Sequence, residues 1–123
     1  MSDFMSERID KPWGGELVFT RNSKVTVKLL KIEQGQETSL QSHRHRDEDW
    51  YVLKGKVRIQ YGNNPKERLD TIVLNKGGGI TIARGMLHRV TAIDDTLILE
   101  VSHGNYEEDD IVRYEDKYGR ARK

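Results

Sequence analysis

Gln41, His43, Glu48 and His88 are residue types that bind metals, and their spacing lets them share one ion. Gln41 and His43 are two residues apart, so on a β-strand both side chains leave the same face and converge. Glu48 follows the charged stretch 44–47, where the chain can bend before Trp50, Tyr51, Val52 and Leu53 resume an apolar strand. His88 closes a second segment that opens at Gly77, and brings an imidazole from a later strand. An amide oxygen, two imidazoles and a carboxylate make a set of mixed hardness. It suits one divalent transition metal per chain, Zn²⁺ first and Mn²⁺, Co²⁺, Fe²⁺ or Ni²⁺ also, better than Ca²⁺ or Cu(I). Coordination positions remain open for water or a substrate oxygen.

A second frame competes with this one. His43, His45 and Asp49 also share parity, and a pair of histidines is the commoner choice on such strands. The glycines decide for the first frame: Gly35 stands six positions before Gln41 and Gly55 seven after Glu48, and both distances are off in the alternative. His45 then becomes a neighbour of the metal or a catalytic residue. The bland alternative, histidines solvated on a strand, fits poorly, because three of the four histidines fall at motif positions. His103 lies outside both segments and is given no role.

Composition excludes several classes. The 123 residues suffice for one domain with a real core, 1–123, carrying one motif at 35–55 and another at 77–92. With 21 basic and 20 acidic residues there is no field to draw nucleic acid or a membrane surface, and neither is expected as a partner. No apolar run approaches the ~20 residues that span a bilayer, and the N-terminal stretch lacks a signal peptide's apolar core. The absence of cysteine removes disulfides, thiolate ligands and thiol nucleophiles together. A cytoplasmic protein is expected.

Elements of period two must position the four ligands. Lys24, Thr26 and Lys28 interleave with Val25, Val27 and Leu29; Lys56, Arg58 and Gln60 interleave with Val57, Ile59 and Tyr61. Further strands are expected at 16–19, 68–74, 79–82, 89–93 and 96–101, with turns at 21–23, 62–65, 75–78 and 94–95. No window shows a long amphipathic helix. The expectation is therefore an all-β chain, a closed barrel or sandwich.

The glycine-bracketed segments resemble the paired motifs of the cupin superfamily, a jelly-roll β-barrel. The likeness extends to Pro12–Trp13–Gly14, to the run SLQSHRHRDE with Trp50, to Gly85 through Arg89, and to the ending EDDIVRYEDKYGR at 108–120. Together these resemble the type II mannose-6-phosphate isomerase domain, found at the C-terminus of bifunctional mannose-1-phosphate guanylyltransferases, over residues 8–120. The resemblance implies a metal-dependent aldose–ketose isomerase acting on mannose 6-phosphate and fructose 6-phosphate through an enediol. Such chemistry needs a proton-transfer base, a Lewis acid and cations for the phosphate. Arg46, Arg84 and Arg89 are the arginines nearest the motifs, with Arg46 placed among the catalytic residues beside His45 and Asp49, and Arg84 and Arg89 expected at the substrate.

Two positions depart from the family pattern. Asp49 stands where the family carries a histidine, so any proton carried there would pass through a carboxylate. Ala83 and Arg84 replace a proline and a small residue. Two other functions remain open beside the isomerase: a cupin that binds metal and sugar without turnover, and another metal-dependent cupin enzyme such as an oxygenase. A homodimer is expected, since strands such as 25–30 and 97–101 carry apolar faces best covered by a copy of the chain. The ending 109–120 is expected to pack across the barrel, because Ile111, Val112, Tyr114 and Tyr118 are set among its charges.

Overall fold

The computed structural model describes residues 7–20, 25–105 and 107–121. Among them there is no helix. Eleven strands follow in chain order: β1 Glu7–Lys11, β2 Gly14–Thr20, β3 Val25–Ile32, β4 Leu40–Ser42, β5 Arg46–Lys54, β6 Lys56–Gly62, β7 Asp70–Asn75, β8 Gly79–Ile82, β9 Leu87–Ala92, β10 Thr96–Gly104 and β11 Val112–Glu115. They form a six-stranded sheet in the order β1-β2-β3-β10-β5-β8 and a five-stranded sheet in the order β11-β4-β9-β6-β7. Every pairing is antiparallel. From β3 onward the chain crosses between the sheets at every connection except the β6–β7 hairpin, which is the jelly-roll solution to closing a β-structure on itself.

The strands expected from alternation form, with ends displaced by a few residues. Two more strands form that were not expected: β1 is charged and shows no alternation, and β11, in which Val112, Arg113, Tyr114 and Glu115 do alternate, has only four residues. The strand expected around Gln41 and His43 forms as the three-residue β4 and ends at Ser42. β5 also starts earlier than the sequence reading had it: Arg46, Asp47, Glu48 and Asp49 are already strand. The turn expected at 21–23, with Lys24 of the alternating run, lies outside the described residues. Gly55 closes the β5–β6 turn at φ 93°, where a Cβ would stand 2.4 Å from the carbonyl oxygen of Asp95, so no other residue fits there without displacing backbone.

The two inner faces meet in a core of Trp13, Leu30, Ile32, Trp50, Val52, Val57, Ile59, Ile82, Val90, Ala92 and Ile98. This apolar packing fills one end of the barrel. Toward the other end the inner face of the larger sheet is polar. One cross-strand row runs Val18, Lys28, Glu100, Trp50, and the next runs Thr26, Ser102, Glu48. On β3 it is therefore Thr26 and Lys28 that point inward, while Val25, Val27 and Leu29 lie half-buried on the outer face with Leu97, Leu99 and Val101. The core end supplies the stability that lets the polar end stay open to chemistry.

The ending packs across the barrel. β11 pairs with β4, Arg89 Nη2 bonds Glu115 at 2.8 Å, Lys117 Nζ reaches the Gly35 carbonyl at 3.1 Å, and the Tyr118 hydroxyl meets Gln36. No helix among the described residues is long and apolar enough to cross a membrane.

Candidate metal centre and cavity

His43, Glu48 and His88 converge from three separate places. Glu48 projects from the inner face of β5, His88 from β9 in the opposite sheet, and His43 follows the last residue of β4. Their ligand atoms all lie within 4.8 Å of one another, and all three residues are buried. His43 Nε2 is 3.5 Å from Glu48 Oε2, and His88 Nε2 is 3.9 Å from Glu48 Oε1. Gln41, the cross-strand partner of His88, lines the adjoining cavity together with His43. Its Oε1 accepts the Ser39 hydroxyl at 2.6 Å, which orients the amide.

The bend at Arg44 and His45 explains how residues 43 and 48, of opposite parity, reach the same point. It breaks the alternation between β4 and β5, so Glu48 turns inward and Asp49 turns outward. Asp110 holds that bend: its carboxylate accepts the backbone N–H groups of Arg44 at 2.9 Å and His45 at 3.0 Å. Desolvation opposes ionisation of Asp110, but these two N–H donors prevail and its pKa lies below the usual carboxylate range.

The donor set fits a metal. His43 Nδ1 donates to the Asp110 carbonyl at 2.7 Å and His88 Nδ1 to the Met86 carbonyl at 3.0 Å, so each ring is held with its Nε2 lone pair facing the cluster. His88 Nε2 is buried with no hydrogen-bond partner, an orphaned acceptor of the kind a cation satisfies. Burial lowers the pKa of both histidines, His43 to about 4, so both rings are neutral and ready to ligate at neutral pH. Desolvation would raise the pKa of Glu48, but His43, His88 and Arg46 outweigh it and bring it to about 2. Because the histidines carry charge only in acid, Arg46 is what neutralises Glu48 near pH 7. Its Nε donates to Glu48 Oε2 at 2.8 Å, while Trp50 Nε1 donates to Oε1 at 3.1 Å. Arg46 Nη2 also meets His43 Nε2 at 3.4 Å, a lone pair that a metal would take over.

At His43 the cluster meets a cavity of about 60 Å³. Apolar walls come from Trp13, Leu30 and Trp50, and cations from Lys11, Lys28, Arg46, Arg113 and Arg120. Lys28 is buried, 3.0 Å from Glu16 and 4.0 Å from Glu100. Burial first, and then the charge of Glu48, raise the pKa of Glu100 to about 8 against the opposing pull of Lys28. Lys28, Glu16 and Glu100 were missed at the sequence level. The available signal was Glu100 itself, an acid inside the apolar run of β10.

Four of the residues expected at the site lie elsewhere or are otherwise engaged. Asp49 leaves the outer face of β5, where Thr81 Oγ1 donates to it at 2.7 Å and His103 Nε2 meets it at 3.1 Å, so the geometry gives it no access to the cavity. His45 is exposed at the bend. Arg84 is exposed beside Asp47, and Arg89 is turned to the outer face of β9 against Glu115. Arg46 does line the cavity, tied to Glu48 and to the carbonyl of Glu107.

Comparison with known proteins agrees with this architecture. Residues 3–116 match the family described as mannose-6-phosphate isomerase C-terminal. The chain is 32% identical to the xanthan biosynthesis protein XanB of Xanthomonas campestris over 93% of its length, and 32% identical to the mannose-1-phosphate guanylyltransferase ManC of Salmonella typhimurium over 95%. It spans only 24% of either relative. Among solved structures it resembles a variant of Bacillus subtilis oxalate decarboxylase, with TM-score 0.76 at 16% identity over 88% of this chain and 30% of that one. It also resembles the capsular polysaccharide assembling protein CapF of Staphylococcus aureus, with TM-score 0.75 at 16% identity over 92% and 35%. These likenesses carry the fold alone. With the family match over nearly its whole length and a jelly-roll barrel built around a His–Glu–His cluster, the chain belongs to the mannose-6-phosphate isomerase C-terminal family of cupins.

Proposed function

We propose that this chain is a metal-dependent isomerase interconverting mannose 6-phosphate and fructose 6-phosphate through an enediol. The observation that carries the reading is that one cavity joins a metal-ligating end, Gln41 and His43, to cationic walls from Lys11, Arg113 and Arg120. A sugar phosphate has the matching two ends, a hydroxy-carbonyl and a phosphate. His43, Glu48, His88 and Gln41 would hold the metal, which supplies a Lewis acid for the sugar oxygens when bound. Zn²⁺ suits the set best.

The remaining work falls to the chain's own side chains. Arg46 keeps Glu48 ionised and oriented. Arg113 and Arg120 offer forked, charge-assisted bonds to a phosphate, with Lys11 as a further point charge. Trp13 and Trp50 exclude water from the reacting carbons. Small-molecule sites run about 300–1,000 Å³, far above the volume here, so admitting a hexose phosphate requires the ending around Ile111 and Arg113 to shift outward. That small volume also favours a second reading, a sensor that binds a sugar phosphate without turning it over. A homodimer through the apolar outer face of the larger sheet belongs to the same proposal, because six half-buried aliphatics of β3 and β10 are presented there together.

The test is metal analysis coupled to turnover. Purified protein should carry roughly one transition metal per chain and convert mannose 6-phosphate to fructose 6-phosphate, with activity lost to a chelator and restored by metal. Metal-loaded protein that binds the sugar phosphate without converting it would establish the sensor instead.

A further inference from the structure

We infer that Glu100 and Lys28, cross-strand partners on the inner face of the larger sheet, are the pair that moves protons on the substrate; this rests on the isomerase reading. Both line the cavity, and both are buried. Glu100 lies directly opposite Trp50, and its neighbour Ser102 lies directly opposite Glu48. Glu100 is thus one diagonal step from a metal ligand on the same face, a separation of roughly 7–8 Å.

Elimination leads to the same residues. Asp49 and His45 lack access to the cavity, as their placement on the outer face and at the exposed bend shows. His43 and His88 have their Nδ1 protons committed to carbonyls and their Nε2 atoms to the cluster, and Glu48 is held by Arg46 and Trp50. Glu16 is the close ion partner of Lys28 at 3.0 Å, and Glu108, half-exposed, is paired with Lys11. Glu100 is the carboxyl left over. It stands 4.0 Å from Lys28, beyond hydrogen-bond range, and its hydrogen bond comes from the Ser102 hydroxyl at 3.3 Å. Lys28 is already neutralised by Glu16, so folding gains nothing from a second buried acid beside Glu48. The raised pKa of Glu100 agrees with a base that works near neutral pH.

The steps balance. The Glu100 carboxylate takes the proton from C2 of mannose 6-phosphate, the C2–H pair becomes the C1=C2 bond, and the C1 carbonyl pair moves onto O1, which takes a proton from the Lys28 ammonium. The neutral Lys28 amine then removes the O2 proton, the O2 pair re-forms a carbonyl at C2, and the C1=C2 pair takes the proton back from Glu100 at C1. Glu100 and Lys28 end as they began, and the product is fructose 6-phosphate.

The experiment uses the full, metal-loaded chain with Glu100→Gln, Glu100→Asp and Lys28→Met. Four readouts are taken: metal content, binding of mannitol 6-phosphate (which has no carbonyl to isomerise), kcat, and deuterium incorporation from D₂O into the sugar. Glu100→Gln should lower kcat and deuterium incorporation by about 10²–10⁴ with metal content and mannitol 6-phosphate binding unchanged. Glu100→Asp should recover part of that loss, and Lys28→Met should slow turnover. Full activity in Glu100→Gln overturns the inference while leaving the isomerase reading intact. So does a loss that merely follows lost metal or lost mannitol 6-phosphate binding, or one that Asp fails to relieve. A wild-type protein that neither turns over mannose 6-phosphate nor exchanges deuterium overturns the isomerase reading itself and this inference with it.

Discussion

Replacing Glu100 by glutamine should stabilise the fold, and by more as the pH rises. Burial and the charge of Glu48 raise its pKa from 4.5 to about 8. Between those two values the folded state holds a proton that the unfolded chain has released. Stability from this group is therefore whole below about pH 4.5 and is lost as the pH climbs through the folded pKa near 8. Over that interval the buried acid costs on the order of 1 kcal/mol near about pH 5.5 and several kcal/mol near about pH 7.5. Glutamine keeps the shape and removes the charge, so the advantage of the variant should grow by roughly 2–3 kcal/mol over those two pH units. For a chain of this length that is roughly 10 °C in Tm, since each kcal/mol moves Tm by about 4 °C. His43 titrates in the opposite sense, losing stability as the pH falls from 6.5 toward about 4, but it does so in both proteins and cancels in the difference. The assay is thermal or urea unfolding of the metal-stripped wild type and variant at several pH values between about 5 and 8. A difference that stays flat or shrinks with rising pH would refute the assignment of Glu100 as a buried, proton-holding acid.

His88→Ala should abolish metal retention, read by elemental analysis, because it removes the orphaned Nε2 and leaves Glu48 with one imidazole. Gln41→Ala should lower metal content and His45→Ala should not; the reverse outcome would favour the His43, His45, Asp49 frame over the buried cluster. Deleting residues from 109 onward should lower Tm by several degrees and weaken metal binding about 10–100-fold, because it removes the Asp110 carbonyl that fixes His43 as well as the Tyr118, Lys117 and Glu115 contacts. An unchanged melting curve would show that this ending is not part of the fold's support. Light scattering should give twice the mass of the 14.3 kDa chain, and Leu99→Lys on the outer sheet face should return it to one chain.

The sequence by itself determined most of the strands and the residue types of the buried cluster. Alternation of period two, glycines where the chain must turn, and the spacing from Gln41 to His43 are local facts, and local facts survive folding. The family resemblance was equally legible, because it rests on residues in fixed order rather than on their placement. What only the tertiary structure decided was facing. A strand such as β3, with Lys28 on one side and Leu29 on the other, satisfies period two whichever side turns inward, and here the polar side does. The same ambiguity hid Glu100 and misassigned Asp49, because the bend at Arg44 and His45, held by Asp110 sixty-five residues away in the chain, resets which of two adjacent carboxylates enters the barrel. Side-chain direction across a sheet is set by what the opposite sheet and the chain ending bring to meet it, and those partners lie far off in sequence.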